Sequence, residues 1–282
     1  MLLHLKTAIR LAGKTVFILL ALLSFQLIVA IPYVLASGVE IFNNPSKKEF
    51  IVYAVITFFT ALFLLMLAYD MLQLFKNAMR LKIRETLFGL LLGILIPFII
   101  CASIWLFSEL DFIKGDFDLP GFFFYIPAFF FLAMIEEVLC RFIILERLNL
   151  YQHPYATCFI SSFTFSVLHL FNPSISVLGF INIFLFGLNL SLVYYMKRNL
   201  WLVICFHAAW NFFAGCVLGS PVSGIIVPSL YKYEVSGGTF ISGSDFGIEG
   251  SIFTSLFLFF SLIFLIKKIR IMNGYLRGLK AS

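Results

Sequence analysis

Residues 122–147 read FFFYIPAFFFLAMIEEVLCRFIILER, and this stretch decides the class of fold. Phe122 to Ile135 holds no charged side chain, and the whole run is longer than the roughly 20 apolar residues that carry an α-helix across about 30 Å of hydrocarbon. Working outward from it, comparable runs lie at Thr15–Ala36, Phe50–Leu74 and Thr86–Phe107 before it. Tyr155–Phe171, Ile175–Met196, Leu200–Leu218 and Ser251–Ile266 follow. With Phe122–Arg147 this makes an all-α, polytopic membrane bundle of about eight transmembrane helices. The composition agrees: 62% of the 282 residues are hydrophobic and 12% charged, with a mean hydropathy of +1.04. That balance excludes a soluble fold.

The 20 Lys and Arg residues give orientation. Lys6, Arg10, Lys14, Lys76, Arg80, Lys82, Arg84, Arg147, Lys197, Arg198, Lys267, Lys268, Arg270, Arg277 and Lys280 fall on one side of an alternating path. Lys47, Lys48, Lys114 and Lys232 fall on the other, and Arg141 sits inside a span. Fifteen against four places both termini in the cytoplasm by the positive-inside rule, in what is expected to be the plasma (cell inner) membrane. The basic start runs into an apolar segment without a small-residue cleavage site, so it reads as a first helix and not a removed signal. No basic stripe with interleaved aromatics points to nucleic acid. Cys101, Cys140, Cys158, Cys205 and Cys216 show no Cys-x-x-Cys spacing, hence no disulfide framework or thiolate zinc site. Glu109 to Leu119 reads as an acidic solvated loop. Gly219 to Gly250 is a longer loop, rich in Gly and Ser, of the length that is usually functional or disordered.

The informative residues are those that violate the solvent, because an ionisable side chain in hydrocarbon marks a site by default. At 100° per residue, Glu137 and Arg141 stand about 40° apart and can pair along one helix face, whereas Glu136, about 140° from Arg141, is left as a free carboxylate. The alternative is a charge cluster that locks helices together. The fifth run ends Phe165-Ser166-Val167-Leu168-His169 and the seventh holds His207-Ala208-Ala209-Trp210-Asn211, each a pair one turn apart. Taken singly, each reads as interhelical hydrogen bonding. Asn182 and Asn189, seven apart, form a polar stripe toward the bundle with no chemical role. Counting 1.5 Å per residue puts Glu136, His169 and His207 at depths of roughly 17, 21 and 11 Å, compatible with one level near mid-membrane once helices tilt. A carboxylate, two imidazoles and an amide suit water activation and oxyanion stabilisation.

Glu136-Glu137-x-x-x-Arg141, Phe165-x-x-x-His169 and His207-x-x-x-Asn211, in that order on successive helices, resemble the signature of the CPBP (ABI or CAAX-protease) family of intramembrane proteases, which includes the type II CAAX prenyl endopeptidases. The resemblance covers about Phe122 to Gly250. It divides the chain into a variable N-terminal three-helix region (1–120), a catalytic membrane core (121–250), and a last helix with a basic tail (251–282). It implies an endopeptidase that hydrolyses a peptide bond of a membrane-embedded or lipid-anchored substrate, in CAAX-type processing or in bacterial peptide processing and self-immunity. By position, Glu136 is the general base, His169 binds and polarises the water, and His207 with Asn211 donates to the oxyanion. Glu137, Arg141 and Phe165 are supporting residues. No cofactor is expected; if zinc is used, Glu136, His169 and His207 are its ligands, although His-Glu-x-x-His is absent. Two other classes remain in view: a non-catalytic membrane scaffold or immunity protein, and a proton-coupled transporter, against which the lack of an inverted repeat counts.

Overall fold

The computed structural model describes residues 76–115, 119–146, 154–236 and 238–281, so the expected spans at 15–36 and 50–74 lie outside the described residues. What is described is a mainly helical bundle. Four of its helical segments are long and apolar enough to cross a membrane: Ile83–Phe107, Val177–Lys197, Leu200–Val217 and Ile252–Met272.

Helix α1 (Ile83–Phe107) packs closely on α5 (Leu200–Phe212). Gly89 and Gly93 permit that approach: a Cβ on Gly93 would stand 2.3 Å from the Phe206 carbonyl, and one on Gly89 would stand 2.4 Å from that of Leu202. Lipid offers no hydrophobic drive for two apolar helices to associate, so small residues that bring backbones together supply the contact instead. Leu87, Leu91, Phe98 and Trp105, a stripe on another face of α1, are exposed, as side chains solvated by lipid should be. Ten of the thirteen α5 residues are buried, which makes it the central helix. Asn199 opens it, accepting from Leu202 N–H at 3.3 Å while donating to Glu85 at 2.8 Å.

The chain through Glu136 and Arg141 folds as α2 (Leu119–Glu137) and runs on as a π-helix over Val138–Glu146. Eight of the nine π-helical residues are buried. Helix α3 (Pro154–Leu168) is short, ending before the Phe171 expected from the apolar run. Helix α4 (Val177–Lys197) begins at an N-cap, where Ser176 Oγ accepts from Gly179 N–H at 3.0 Å.

Two expected loops prove to be folded. Glu109–Lys114 is strand β1, paired antiparallel with β2 (Tyr231–Ser236) so that Leu110 faces Val235 and Asp111 faces Glu234. Leu110, Phe112, Tyr231, Tyr233 and Val235 share one side of this ribbon. Its alternation was hidden by the acidic residues between, so the expectation of a plain acidic loop is corrected. Within 219–250, β2 is followed by α6 (Thr239–Ser242) and two 3₁₀ turns, Ser244–Phe246 and Ile248–Gly250, with Phe246 and Ile248 buried. Helix α7 (Ile252–Ala281), longer than the expected Ser251–Ile266, packs on α4. Asn182 donates to the Glu249 and Ser251 carbonyls at 2.8 and 2.9 Å, and Asn189 to that of Leu258 at 3.1 Å, so the asparagine stripe ties α4 to α7 and its entry. All five cysteines are free and buried.

Candidate active site

Glu136 and Glu137 occupy the last turn of α2, His169 follows the end of α3, and His207 lies in the middle of α5. The fold brings these three elements to one place. Glu136 stands between the imidazoles: its Oε1 is 4.0 Å from His169 Nε2 and its Oε2 is 3.7 Å from His207 Nε2. Both separations exceed hydrogen-bond length, and Glu136 Oε2 is buried with no hydrogen-bond partner among the described residues. The Glu136 side chain is 19% exposed, His169 12% and His207 4%, so the centre is reached from the Glu136–His169 side.

The other ring nitrogens fix how each imidazole presents itself. His169 Nδ1 lies 2.8 Å from the Phe165 carbonyl, which can only accept, so this nitrogen carries the hydrogen. His207 Nδ1 lies 3.0 Å from Glu137 Oε1. Glu137 is itself paired with Arg141, Oε2 to Nε 3.1 Å, both side chains fully buried, and its oxygens accept, so Nδ1 is the donor here too. Both Nε2 atoms therefore face Glu136. This tautomer assignment is inferred from acceptor-only partners.

Behind this layer the pair is held by further contacts. Arg141 Nη2 donates to the Gly187 carbonyl of α4 at 3.2 Å, and its guanidinium lies 4.6 Å from the Phe165 ring centre. Phe165 in turn packs against His169 at 4.7 Å and His207 at 5.8 Å. Arg141 Nη1 is buried without a hydrogen-bond partner among the described residues, and the Nε–Oε2 pair is close but not aligned as a hydrogen bond. Asn211 is buried one turn beyond His207, and its side-chain amide makes no hydrogen bond among the described residues. The hydrogen bond from His207 to Glu137 and the Phe186 ring, 5.2 Å from His207, carry no sequence signal, since both link positions far apart in the chain.

The three groups named for zinc do not form a ready metal site. Ligand atoms about 2.0–2.1 Å from a tetrahedral zinc lie roughly 3.3 Å apart, against 3.7 and 4.0 Å from Glu136 to the two imidazoles. Among the described residues no group of three or more His, Cys, Asp or Glu side chains is placed to hold a metal ion.

Residues 118–213 match the family described as type II CAAX prenyl endopeptidase Rce1-like. The matched segment runs from the start of α2 to the end of α5 and contains Glu136, Glu137, Arg141, Phe165, His169, His207 and Asn211. This stretch is similar to the CAAX-protease family over about a third of the chain. The CAAX-protease match stops short of the Gly250 to which the sequence resemblance extended, leaving α1, the 219–250 segment and α7 outside it. No curated protein matches the chain. The apolar helices and the similarity to a membrane-protease family together support an integral membrane protein.

Proposed function

We propose that the protein is an intramembrane endopeptidase that hydrolyses a peptide bond of a membrane-anchored substrate with a water activated by Glu136. The observation that carries this reading is the position of Glu136, whose two oxygens face two imidazole nitrogens across gaps of 3.7 and 4.0 Å. His169, with its hydrogen on Nδ1, directs an Nε2 lone pair at a carboxylate, an arrangement relieved by a water that donates into it. His169 Nε2 and Glu136 then share that water and draw electron density toward its oxygen.

The steps follow from these residues. Water oxygen attacks the scissile carbonyl carbon while its proton passes to Glu136, and the carbonyl oxygen becomes an oxyanion. Asn211 donates to it through its free amide. His207 donates through Nε2 when it is protonated on both nitrogens, with Glu137 accepting from Nδ1 and compensating the added charge. As the tetrahedral carbon collapses and the C–N bond breaks, Glu136 returns the proton to the departing amine. Glu137 thus has two duties: it neutralises Arg141 and it orients His207. The family match supports a CAAX-type substrate, a lipid-anchored chain near its C-terminus, and the positive-inside bias of the sequence supports cytoplasmic termini.

Glu136→Gln keeps the shape and removes the base. In purified protein reconstituted into liposomes, cleavage of a prenylated reporter peptide should be lost while unfolding in detergent is unchanged. A Gln variant that is folded and cleaves at the wild-type rate would overturn the assignment.

A further inference from the structure

The segment 219–250 lies outside the family match and enters the bundle beside the site. Its Glu249 is partly buried and its carboxylate is fully occupied. Oε1 accepts from the Trp210 indole N–H at 2.9 Å, and Oε2 accepts from the Ser223 backbone N–H at 2.8 Å and from the Ser223 hydroxyl. Trp210 is completely buried and immediately precedes Asn211. Its ring packs on Phe186 at 5.2 Å, and Phe186 packs on His207 at the same distance.

The other end of the tie reaches His169. The Ser223 carbonyl accepts from Asn172 Nδ2 at 3.1 Å, and Asn172 N–H donates to the His169 carbonyl at 3.0 Å. Ser223 and Gly224 both have positive φ, 48° and 84°, and a Cβ on Gly224 would come within 2.0 Å of the Pro173 carbonyl. That turn is therefore committed to its contact with the segment after His169.

We propose that Glu249 is a positioning residue: it closes a ring of contacts from His169 through Asn172, Ser223 and Trp210 to Asn211, and so sets the distance between the water-binding and oxyanion-binding arms. The role rests on the hydrolytic reading above. An oxyanion donor works only when held to within a fraction of an ångström, and a displacement of about 1 Å can cost on the order of 100-fold in rate. Gln at 249 keeps the size but turns an N–H₂ toward either Trp210 or Ser223, both of which donate, so one arm of the tie must open.

The test combines cleavage kinetics with an observable independent of activity. The chain has three tryptophans, Trp105, Trp201 and Trp210, so ¹⁵N-labelled indoles give three assignable resonances. Glu249→Gln should move the Trp210 indole signal, lower kcat per folded molecule by about tenfold or more, and leave KM within about threefold. Trp210→Phe should lower kcat likewise, and the double variant should be no worse than Trp210→Phe alone, because both act through one bond. Asp245→Asn, an exposed change in the same segment, should leave kcat unaltered. An unmoved indole, an unchanged kcat in Glu249→Gln, or additive losses in the double variant overturns the proposal. Wild-type protein without Glu136-dependent cleavage removes the protease reading itself, and this role with it. Glu136-dependent cleavage that is indifferent to Glu249 removes only the latter.

Discussion

Glu137→Gln separates the two duties assigned to that carboxylate. Its oxygens lie 3.0 Å from His207 Nδ1 and 3.1 Å from Arg141 Nε, and both Glu137 and Arg141 have no exposed side-chain surface. Neutralising Glu137 leaves a buried guanidinium whose remaining partners are the Gly187 carbonyl and the Phe165 face. Breaking a buried pair from one side costs about 3–5 kcal/mol. The same change turns an amide toward one of two donors, so His207 loses its orienting acceptor or Arg141 loses its carboxylate partner. Removing the orienter of a catalytic imidazole lowers kcat by up to about 10⁴-fold in other hydrolases. Adding Arg141→Leu removes the stranded charge, and the Glu137→Gln/Arg141→Leu protein should recover most of the lost stability, since an apolar replacement of a buried pair is often neutral or stabilising. It should not recover full activity, because an amide at 137 can orient His207 but cannot compensate the charge on its doubly protonated ring. Stability is read by denaturant unfolding in micelles, and activity by single-turnover cleavage in liposomes. A double variant that cleaves at the wild-type rate would refute the charge-compensating role. A Glu137→Gln protein as stable as wild type would refute the buried-pair energetics.

Two further outcomes follow from the same geometry. Asn211→Ala removes an amide that makes no other hydrogen bond among the described residues, so stability should stay within about 0.5 kcal/mol. Its kcat should fall by about 10²–10³-fold with KM nearly constant in steady-state cleavage, the mark of a transition-state contact. Gly93→Ala places a methyl where the Phe206 carbonyl is 2.3 Å and the Ala209 Cβ 2.8 Å away, so α1 must back off α5. Overpacking of this kind costs about 1–3 kcal/mol, which denaturant unfolding in micelles would show.

How much of this was legible in the sequence depends on the range of the interaction. Helical membrane architecture was, because each span is a contiguous apolar run whose solvent is lipid. Pairing of Glu137 with Arg141 was also legible, since i,i+4 geometry is local and survives the start of the π-helix at Val138. The β-ribbon was not. Six residues such as Glu109–Lys114 give a weak alternation, and what stabilises them is Tyr231–Ser236, more than a hundred positions away. The length of α3 was hidden as well, because Leu170 and Phe171 are as apolar as the helix they follow although the chain has already turned there.

Within the site, the limit lies between residue type and residue partner. Charges placed in hydrocarbon announce themselves, and the one-turn spacing of Phe165 with His169 and of His207 with Asn211 gives faces. Which face meets which is set by helix packing that no local pattern encodes. Assigning Glu137 wholly to Arg141 was therefore incomplete, since the second oxygen serves His207 across 70 positions. Glu249 was concealed for the opposite reason. It lies in a Gly- and Ser-rich segment where a carboxylate is unremarkable, and its meaning arises only because Trp210 presents a buried N–H that requires an acceptor. A membrane interior makes every such buried donor costly, so the polar groups lacking a local partner are where long-range contacts must be sought. In this chain that rule leads from Trp210 to Glu249 and from His207 to Glu137. It also leads to Glu136, whose Oε2 is buried and has no hydrogen-bond partner among the described residues.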